Sequence, residues 1–279
     1  MLRVIKPGFF TSLQDIGRFS YRDKGVPVSG VMDTHAIATI NTLLENCKNA
    51  SVLEMTMIGA VLEFKEKTYM CLAGASISAT LNEKPIKNNK VYQVDAGAIL
   101  SCGKLTKGVR AYLGVKNGFT APKVLGSVSY YKPITVNASL KKEDSIPYEV
   151  CDSFKIKSQD KYTSSYLEEI VLDVHKGPEY DMLLDKQLEA LFFKDFSIAK
   201  ENNRMAYQLN EKIEGHEVSM LTSATLPGTV QFTPSGKLIV LMKDGQTTGG
   251  YPRILQLTDR SIAVLSQKKF REKISFRLV

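Results

Sequence analysis

Short apolar runs, each of four to seven residues and bounded by glycine or polar clusters, constrain this chain more than any other feature. In the first half they stand at 52–57, 61–64, 69–73, 76–82, 98–102 and 110–115. They resume at 170–174, 229–232, 238–242, 254–257, 262–265 and 274–278. These are strand lengths, and repeated along a chain they point to a sandwich or a barrel. The expectation is a mainly β protein with a few short helices.

One segment departs from that pattern. Asp33 offers a cap, and Ala36, Ile37, Ile40, Leu43 and Leu44 recur at three- and four-residue spacing, which predicts a helix ending near Asn46. A second helix is expected over 186–192, after the Gly177-Pro178 break. Residues 151–165, CDSFKIKSQDKYTSS, are polar and aperiodic and read as a linker or long excursion. They divide the chain into two β-rich lobes, 1–150 and 166–279, and 279 residues are enough for both to bury a core.

Composition excludes several classes. The net charge of +8 comes from 37 basic and 29 acidic residues spread along the chain, which fits a solvated surface rather than a nucleic-acid or membrane-binding face. The densest basic run, Lys268, Lys269, Arg271 and Lys273, is interrupted by Glu272 and reads as a turn between two terminal strands. Cys47, Cys71, Cys102 and Cys151 form no C-x-x-C pair, and Cys71 and Cys102 sit in apolar runs as small core residues. The opening MLRVIKPGFF lacks the apolar stretch of a leader, and the uncharged stretch 218–236 is too polar to span a bilayer. A reduced, cytoplasmic chain is expected. His35, His175 and His216 show no metal-ligand spacing, so surface or packing roles and no metal site are expected. The segment 97–104 resembles a phosphate loop but has one residue too many between its glycines, and Leu105 stands where a hydroxyl is needed.

Two polar clusters are unlike ordinary loops. The first runs Thr11-Ser12-Leu13-Gln14-Asp15-Ile16-Gly17-Arg18 and continues at Gly25-Val26-Pro27-Val28-Ser29-Gly30-Val31-Met32-Asp33. It gathers hydroxyls, an acid and an arginine ahead of a helix N-terminus, which suits an anion; a capped helix after a long turn is the alternative. The second, Asp244-Gly245-Gln246-Thr247-Thr248-Gly249-Gly250-Tyr251-Pro252-Arg253, follows an apolar strand directly. Its adjacent glycines permit close backbone approach and Arg253 can hold a carboxylate or phosphate in a two-point fork, although a polar-tipped hairpin turn would share that composition.

TSLQDIGR, GVPVSGVMD and DGQTTGGYPRI resemble signature blocks of the allophanate hydrolase subunit 2 family, which includes KipA-like proteins, the C subunit of 5-oxoprolinase and a carboxyltransferase region of urea carboxylase. Asn41, Leu53-Glu54-Met55-Thr56 before Gly59, Gly74-Ala75, Gly126-Ser127, Gly177-Pro178-Glu179 and Asn203-Arg204-Met205 extend the resemblance over nearly the whole chain in order. There are departures. Gly126-Ser127-Val128-Ser129-Tyr130-Tyr131 stands where the family usually has Gly-Ser-Arg-Ser-Thr-Tyr, and Ala206 and Gln208 stand where Gly and Arg are usual.

The resemblance implies two cyclophilin-like β-barrel lobes, KipI-like and LamB/YcsF-like proteins as partners, and an ATP-dependent enzyme that opens 5-oxoproline to glutamate. ATP with magnesium would serve as co-substrate of the complex, and this chain would be inactive alone. Phosphoryl-transfer chemistry of that kind is mostly positioning and charge stabilisation. The implied roles are anion contact for Arg18, Arg204 and Arg253, and orienting or metal-facing acids at Asp15 and Asp244. Gln246, Thr247, Thr248 and Tyr251 would line the site, with Ser29, Asp33 and Asn41 also on the substrate. Two other readings are open: a biotin-dependent carboxyltransferase half-site, which would use similar donors to polarise a carbonyl, and a regulatory protein that binds a KipI-like kinase inhibitor.

Overall fold

The apolar runs do fold chiefly as strands. The computed structural model describes residues 1–156 and 165–279 and arranges them in two compact units. The first comprises Met1–Arg18 and Asp33–Leu167; the second comprises Phe19–Met32 and Glu168–Val279. Among the described residues no helix is long and apolar enough to cross a membrane.

The first unit contains β1 (Leu2–Lys6), β2 (Phe10–Gln14), α1 (Thr34–Leu43), β3 (Val52–Thr56), β4 (Val61–Phe64), β5 (Thr68–Leu81), β6 (Lys84–Ile86), β7 (Val91–Val94), β8 (Ile99–Val115) and β9 (Ser145–Ile146). Its nine-stranded sheet follows the path β2-β3-β8-β4-β1-β9, and β5 pairs with β6, β7 and β8. The runs 69–73 and 76–82 are one continuous strand, β5, and 98–102 and 110–115 are two ends of another, β8. The reason is that Gly74 marks a bulge rather than a turn: its φ is +83°, the β5–β8 register shifts beside it, and a Cβ there would lie 2.6 Å from the Arg110 carbonyl. The chain reverses instead at Asn82-Glu83, with φ of 47° and 65°, a primed two-residue hairpin turn between Leu81 and Lys84.

Leu2, Val4, Leu53, Leu62, Phe64, Leu72, Leu100 and Leu113 form the centre of this unit's core. Helix α1 packs on β5 and β8. Asp33 caps it, Oδ1 accepting from the His35 and Ala36 amides at 3.0 Å each. Ala36, Ile37 and Ile40 are its buried face, and Gly114 lets it approach: a Cβ at 114 would overlap Ile40. Cys71 and Cys102 are free thiols in the core, pushed up to about 12 by burial.

The second unit contains β10 (Val171–Lys176), α2 (Asp185–Phe193), β11 (Phe196–Asn202), β12 (Ala206–Lys212), β13 (Ser223–Ala224), β14 (Thr229–Phe232), β15 (Lys237–Leu241), β16 (Thr248–Gly249), β17 (Arg253–Leu257), α3 (Asp259–Ser266) and β18 (Lys273–Leu278). Seven strands close a barrel in the order β10-β17-β14-β15-β12-β11-β18, sealed by the parallel pairing of β18 with β10 from Val171–Ser275 to Val174–Leu278. β13 and β16 form a separate ribbon. Val174, Phe196, Tyr207, Val230, Phe232, Val240, Leu255 and Phe276 are buried in this unit.

Two expectations are corrected here. Residues 262–265 are not a strand but part of α3, and the basic run 268–273 therefore joins a helix to the last strand. The helix starts because the Thr258 hydroxyl accepts from the Ser261 amide at 3.2 Å, and the Ser261 hydroxyl in turn donates to the Asp173 carbonyl at 2.9 Å. Every residue from Ser261 to Ser266 is buried, so no polar stripe interrupts the apolar run to betray the helical period. Of the expected linker 151–165, residues 157–164 lie outside the described residues.

Candidate functional site

The loop between β15 and β17 is built around two arginine–carboxylate pairs. Asp244 follows the end of β15, and its amide donates to the Arg204 carbonyl at 2.8 Å. Arg204 returns the contact with both arms of its fork, Nε to Oδ2 at 2.8 Å and Nη2 to Oδ1 at 3.1 Å. Nη2 also donates to the Gly30 carbonyl at 2.6 Å, and the Ser29 amide donates to the Lys243 carbonyl at 2.8 Å. The segment 29–30 is thus tied to the root of the loop. Lys243 is pushed below the ordinary lysine range by burial; the Asp259 carboxylate opposes that shift and the Arg204 cation reinforces it.

At the other end of the loop the carboxylate in Arg253's fork is Glu179. Nε reaches Oε2 at 2.9 Å, Nη2 reaches Oε1 at 2.6 Å, and the Arg253 amide donates to Oε2 at 2.8 Å. The hydrogen bonds from Arg253 hold the Glu179 carboxyl below the usual carboxylate range against the cost of its partial burial, and the same pair raises Arg253. Arg253 Nη1 also donates to the Ala224 carbonyl, while Thr225 fixes the loop from the same side, its amide donating to the Thr247 carbonyl at 3.0 Å. Between these anchors Gln246, Thr248, Gly250 and Tyr251 are exposed and Thr247 is half-buried. Both arginines are engaged by carboxylates, so the loop offers hydrogen-bonding side chains on a locally neutral base, which suits a neutral polar ligand better than an anion.

In the first unit Asp15 organises a second cluster. Its Oδ1 accepts from the Gly17 amide at 2.8 Å and from the Ser127 and Ser129 hydroxyls at 2.6 Å each; Oδ2 accepts from the Val128 amide at 2.9 Å. Arg18 is buried beside it, with Nε donating to the Val124 carbonyl at 3.1 Å and Nη2 to the Ser129 carbonyl. Asp15 and Arg18 therefore grip the segment 124–129. Asn41 holds the turn after α1, donating to the Ala50 carbonyl at 3.0 Å. Asp33 Oδ2 accepts from the Tyr166 hydroxyl at 2.6 Å, and the Asp33 amide donates to the Tyr112 hydroxyl, which itself donates to Glu54 at 2.8 Å. Glu54 and Arg110, both buried, lie 3.7 Å apart. Burial, then the Glu54 and Asp33 carboxylates, raise Tyr112 well above its ordinary range.

Of the residues singled out in the sequence, Arg204, Asp244, Gln246, Thr247, Thr248, Tyr251, Arg253 and Ser29 lie in the second unit; Asp15, Arg18, Asp33 and Asn41 lie in the first. Sequence reasoning assigned no role to Glu179, Tyr112, Tyr166 or Lys243. Glu179 had one signal, its place in the Gly177-Pro178-Glu179 block, where a Cβ at Gly177 would overlap the Arg253 carbonyl. Among the described residues no three His, Cys, Asp or Glu side chains gather as a metal site.

Comparison with known proteins adds a lineage to this geometry. The family described as carboxyltransferase domain, subdomain A and B, matches residues 24–278. The C subunit of 5-oxoprolinase from Escherichia coli (strain K12) is 30% identical over 99% of this chain and 90% of its own length. Among solved structures, TTHA0988 superposes with a TM-score of 0.90 at 26% identity over 99% of this chain. The K. lactis urea amidolyase does so with a TM-score of 0.87 at 26% identity, again over 99% of this chain. This chain spans about half of the first of those structures, 55%, and 18% of the second.

Proposed function

Since the chain belongs to the carboxyltransferase domain family, subdomain A and B, we propose that it works as the C subunit of an ATP-dependent 5-oxoprolinase that opens 5-oxoproline to glutamate. The observation that carries this is the near end-to-end likeness to the C subunit of E. coli 5-oxoprolinase, which covers 99% of this chain and 90% of that one. The partners in this reading are a KipI-like protein and a LamB/YcsF-like protein, and the chain is inactive without them.

5-Oxoproline is a stable lactam bearing one carboxylate. Opening it requires an activated carbonyl, and ATP with magnesium, as co-substrate of the complex, would supply that activation by phosphoryl transfer to the amide oxygen. The forks of Arg204 and Arg253 are filled by Asp244 and Glu179, so the loop 244–253 fits the neutral lactam edge better than a triphosphate. In this reading the two pairs hold the loop rigid, and Gln246, Thr248 and Tyr251 orient the lactam. Rigid positioning of this kind lowers the barrier by ordering the reactants in advance.

A second reading has its own support. The likeness to urea amidolyase also covers 99% of this chain, which favours a carboxyltransferase half-site acting on an amide or urea carbonyl. Co-expression with the two partner proteins separates these readings. The expected result is ATP hydrolysis that depends on 5-oxoproline in the assembled complex and is absent from the single chain. Turnover that depends on urea, bicarbonate and biotin would favour the carboxyltransferase. A stable KipI-like complex that turns over neither substrate would overturn both in favour of regulation.

A further inference from the structure

Gln231 lies in the middle of β14, a strand whose four residues Thr229, Val230, Gln231 and Phe232 are all buried. Three of them suit that place. Gln231 does not: it is 1% exposed, and among the described residues its Nε2 has no hydrogen-bond partner. A buried carboxamide donor left unmet is destabilising, so its presence calls for a reason. The backbone supplies one. The β14–β17 register shifts between Val230, opposite Leu255, and Gln231, opposite Arg253. Bulges re-aim side chains and recur beside active sites. This one inserts Ile254 on the β17 side, while the two-residue alternation of β14 turns Gln231 away from Val230 and Phe232 and against the loop 244–253, where a Cβ at Gly249 would overlap the unmet Nε2 and lie 3.0 Å from Gln246 Nε2. Gly249, having no side chain, therefore makes room for the Gln231 carboxamide and lets it converge with that of Gln246. Among the described residues, Gln246 also donates no side-chain hydrogen bond to the protein.

We propose that Gln231 is the specificity residue that reads the amide edge of the substrate, with Gln246 as its second donor and Gly249 as the residue whose missing side chain lets both carboxamides reach one carbonyl oxygen. A carboxamide carries a donor and an acceptor on one edge. A cis-lactam presents the complementary carbonyl and N–H on one edge, so the two can pair at two points, whereas a carboxylate offers only acceptors. Local charge also favours the neutral ligand, because Arg204 and Arg253 are already paired. An oxygen shared by two N–H donors sits about 2.9 Å from each, a span that nitrogens flanking a single Cβ position can meet after small side-chain rotations. This rests on the amide-substrate reading above and names the residue that enforces it.

The test uses the full chain and the assembled complex. The carboxamide resonance of Gln231 is assigned by its loss in Gln231→Leu, or in Gln231→Glu if the leucine variant does not fold. It is then followed during titration with 2-pyrrolidinone and with N-methyl-2-pyrrolidinone, which lacks the N–H. The expected result is a saturable shift with the first probe and a weaker one with the second. In the complex, Gln231→Leu should lower kcat/KM for 5-oxoproline about 10- to 100-fold with an unchanged melting temperature, as losing one substrate-matched hydrogen bond does. A shift with 2-pyrrolidinone in a complex inactive on 5-oxoproline would sustain the role of Gln231 and reject the oxoprolinase reading. A resonance unmoved by either probe in chain and complex, or a folded Gln231→Leu complex with wild-type turnover, overturns the proposal.

Discussion

The Arg253–Glu179 pair allows a quantitative test of how the loop is held. Arg253→Ala deletes two charge-assisted hydrogen bonds to Glu179, at 2.9 and 2.6 Å, and also frees the Ala224 carbonyl. The two side chains are 17% and 24% exposed, between the limits of a surface pair worth about 0–1 kcal/mol and a buried pair whose breaking costs about 3–5 kcal/mol. The expected coupling is therefore about 2 kcal/mol. A double-mutant cycle of Arg253→Ala and Glu179→Gln, read by urea unfolding, isolates it from the packing losses of each single change. The pH dependence has a defined sign. Glu179 has its folded pKa depressed below the ordinary 4.5, chiefly by hydrogen bonds from Arg253. The pair's contribution is thus complete above that value and declines as pH falls through the lower, folded pKa. Coupling below about 0.5 kcal/mol at neutral pH, or coupling that grows on acidification, would refute the claim that this pair fastens the loop.

Three further outcomes are expected. Asp15→Ala removes the acceptor for two hydroxyls and two amides and should destabilise the chain by about 2–4 kcal/mol in chemical denaturation, with proteolysis beginning near 124–129. Gly114→Val drives side-chain atoms into Ile40 and should cost about 1–3 kcal/mol while accelerating hydrogen exchange in α1. Iodoacetamide at pH 8 should modify exposed Cys47 and spare Cys71 and Cys102, whose thiols stand at about 12; mass mapping of the native protein checks this.

The elements most legible in the sequence were those whose burial is one-sided. Helix α1 alternates buried and exposed residues with a side-chain cap at Asp33, so cap and spacing together located it, although it ends at Leu43 rather than near Asn46. Strand 61–64, whose burial alternates, emerges with the boundaries its apolar run predicted. Legibility failed where burial was complete or where the buried residues were polar. Helix α3 is buried through its whole second turn, so its Ile262-Ala263-Val264-Leu265 run carries no period and resembles a strand. β2 failed in the opposite way. Thr11, Ser12 and Gln14 are fully buried, and Gln14 satisfies itself on Ser12 two residues back at 2.9 Å, so a core strand resembled a polar loop.

The candidate site follows the same logic with a longer reach. Its arginines and acids were visible as residue types, but what each one does depends on a partner 40, 74 or 112 positions away, as in Arg204–Asp244, Arg253–Glu179 and Asp15–Ser127. No spacing rule reaches so far, because the separation depends on how many strands lie between two neighbours in a sheet or barrel. An arginine with an empty fork and one with a filled fork are identical in sequence, yet the first attracts anions and the second stiffens a loop. What can be sought in sequence is the converse, a polar residue that interrupts an apolar strand without a charge to explain it. Gln231 between Val230 and Phe232 is such an interruption. A strand buried on both faces tolerates a carboxamide only if something satisfies it, so an unmet donor beneath a glycine-bearing loop is better explained by a ligand than by the fold.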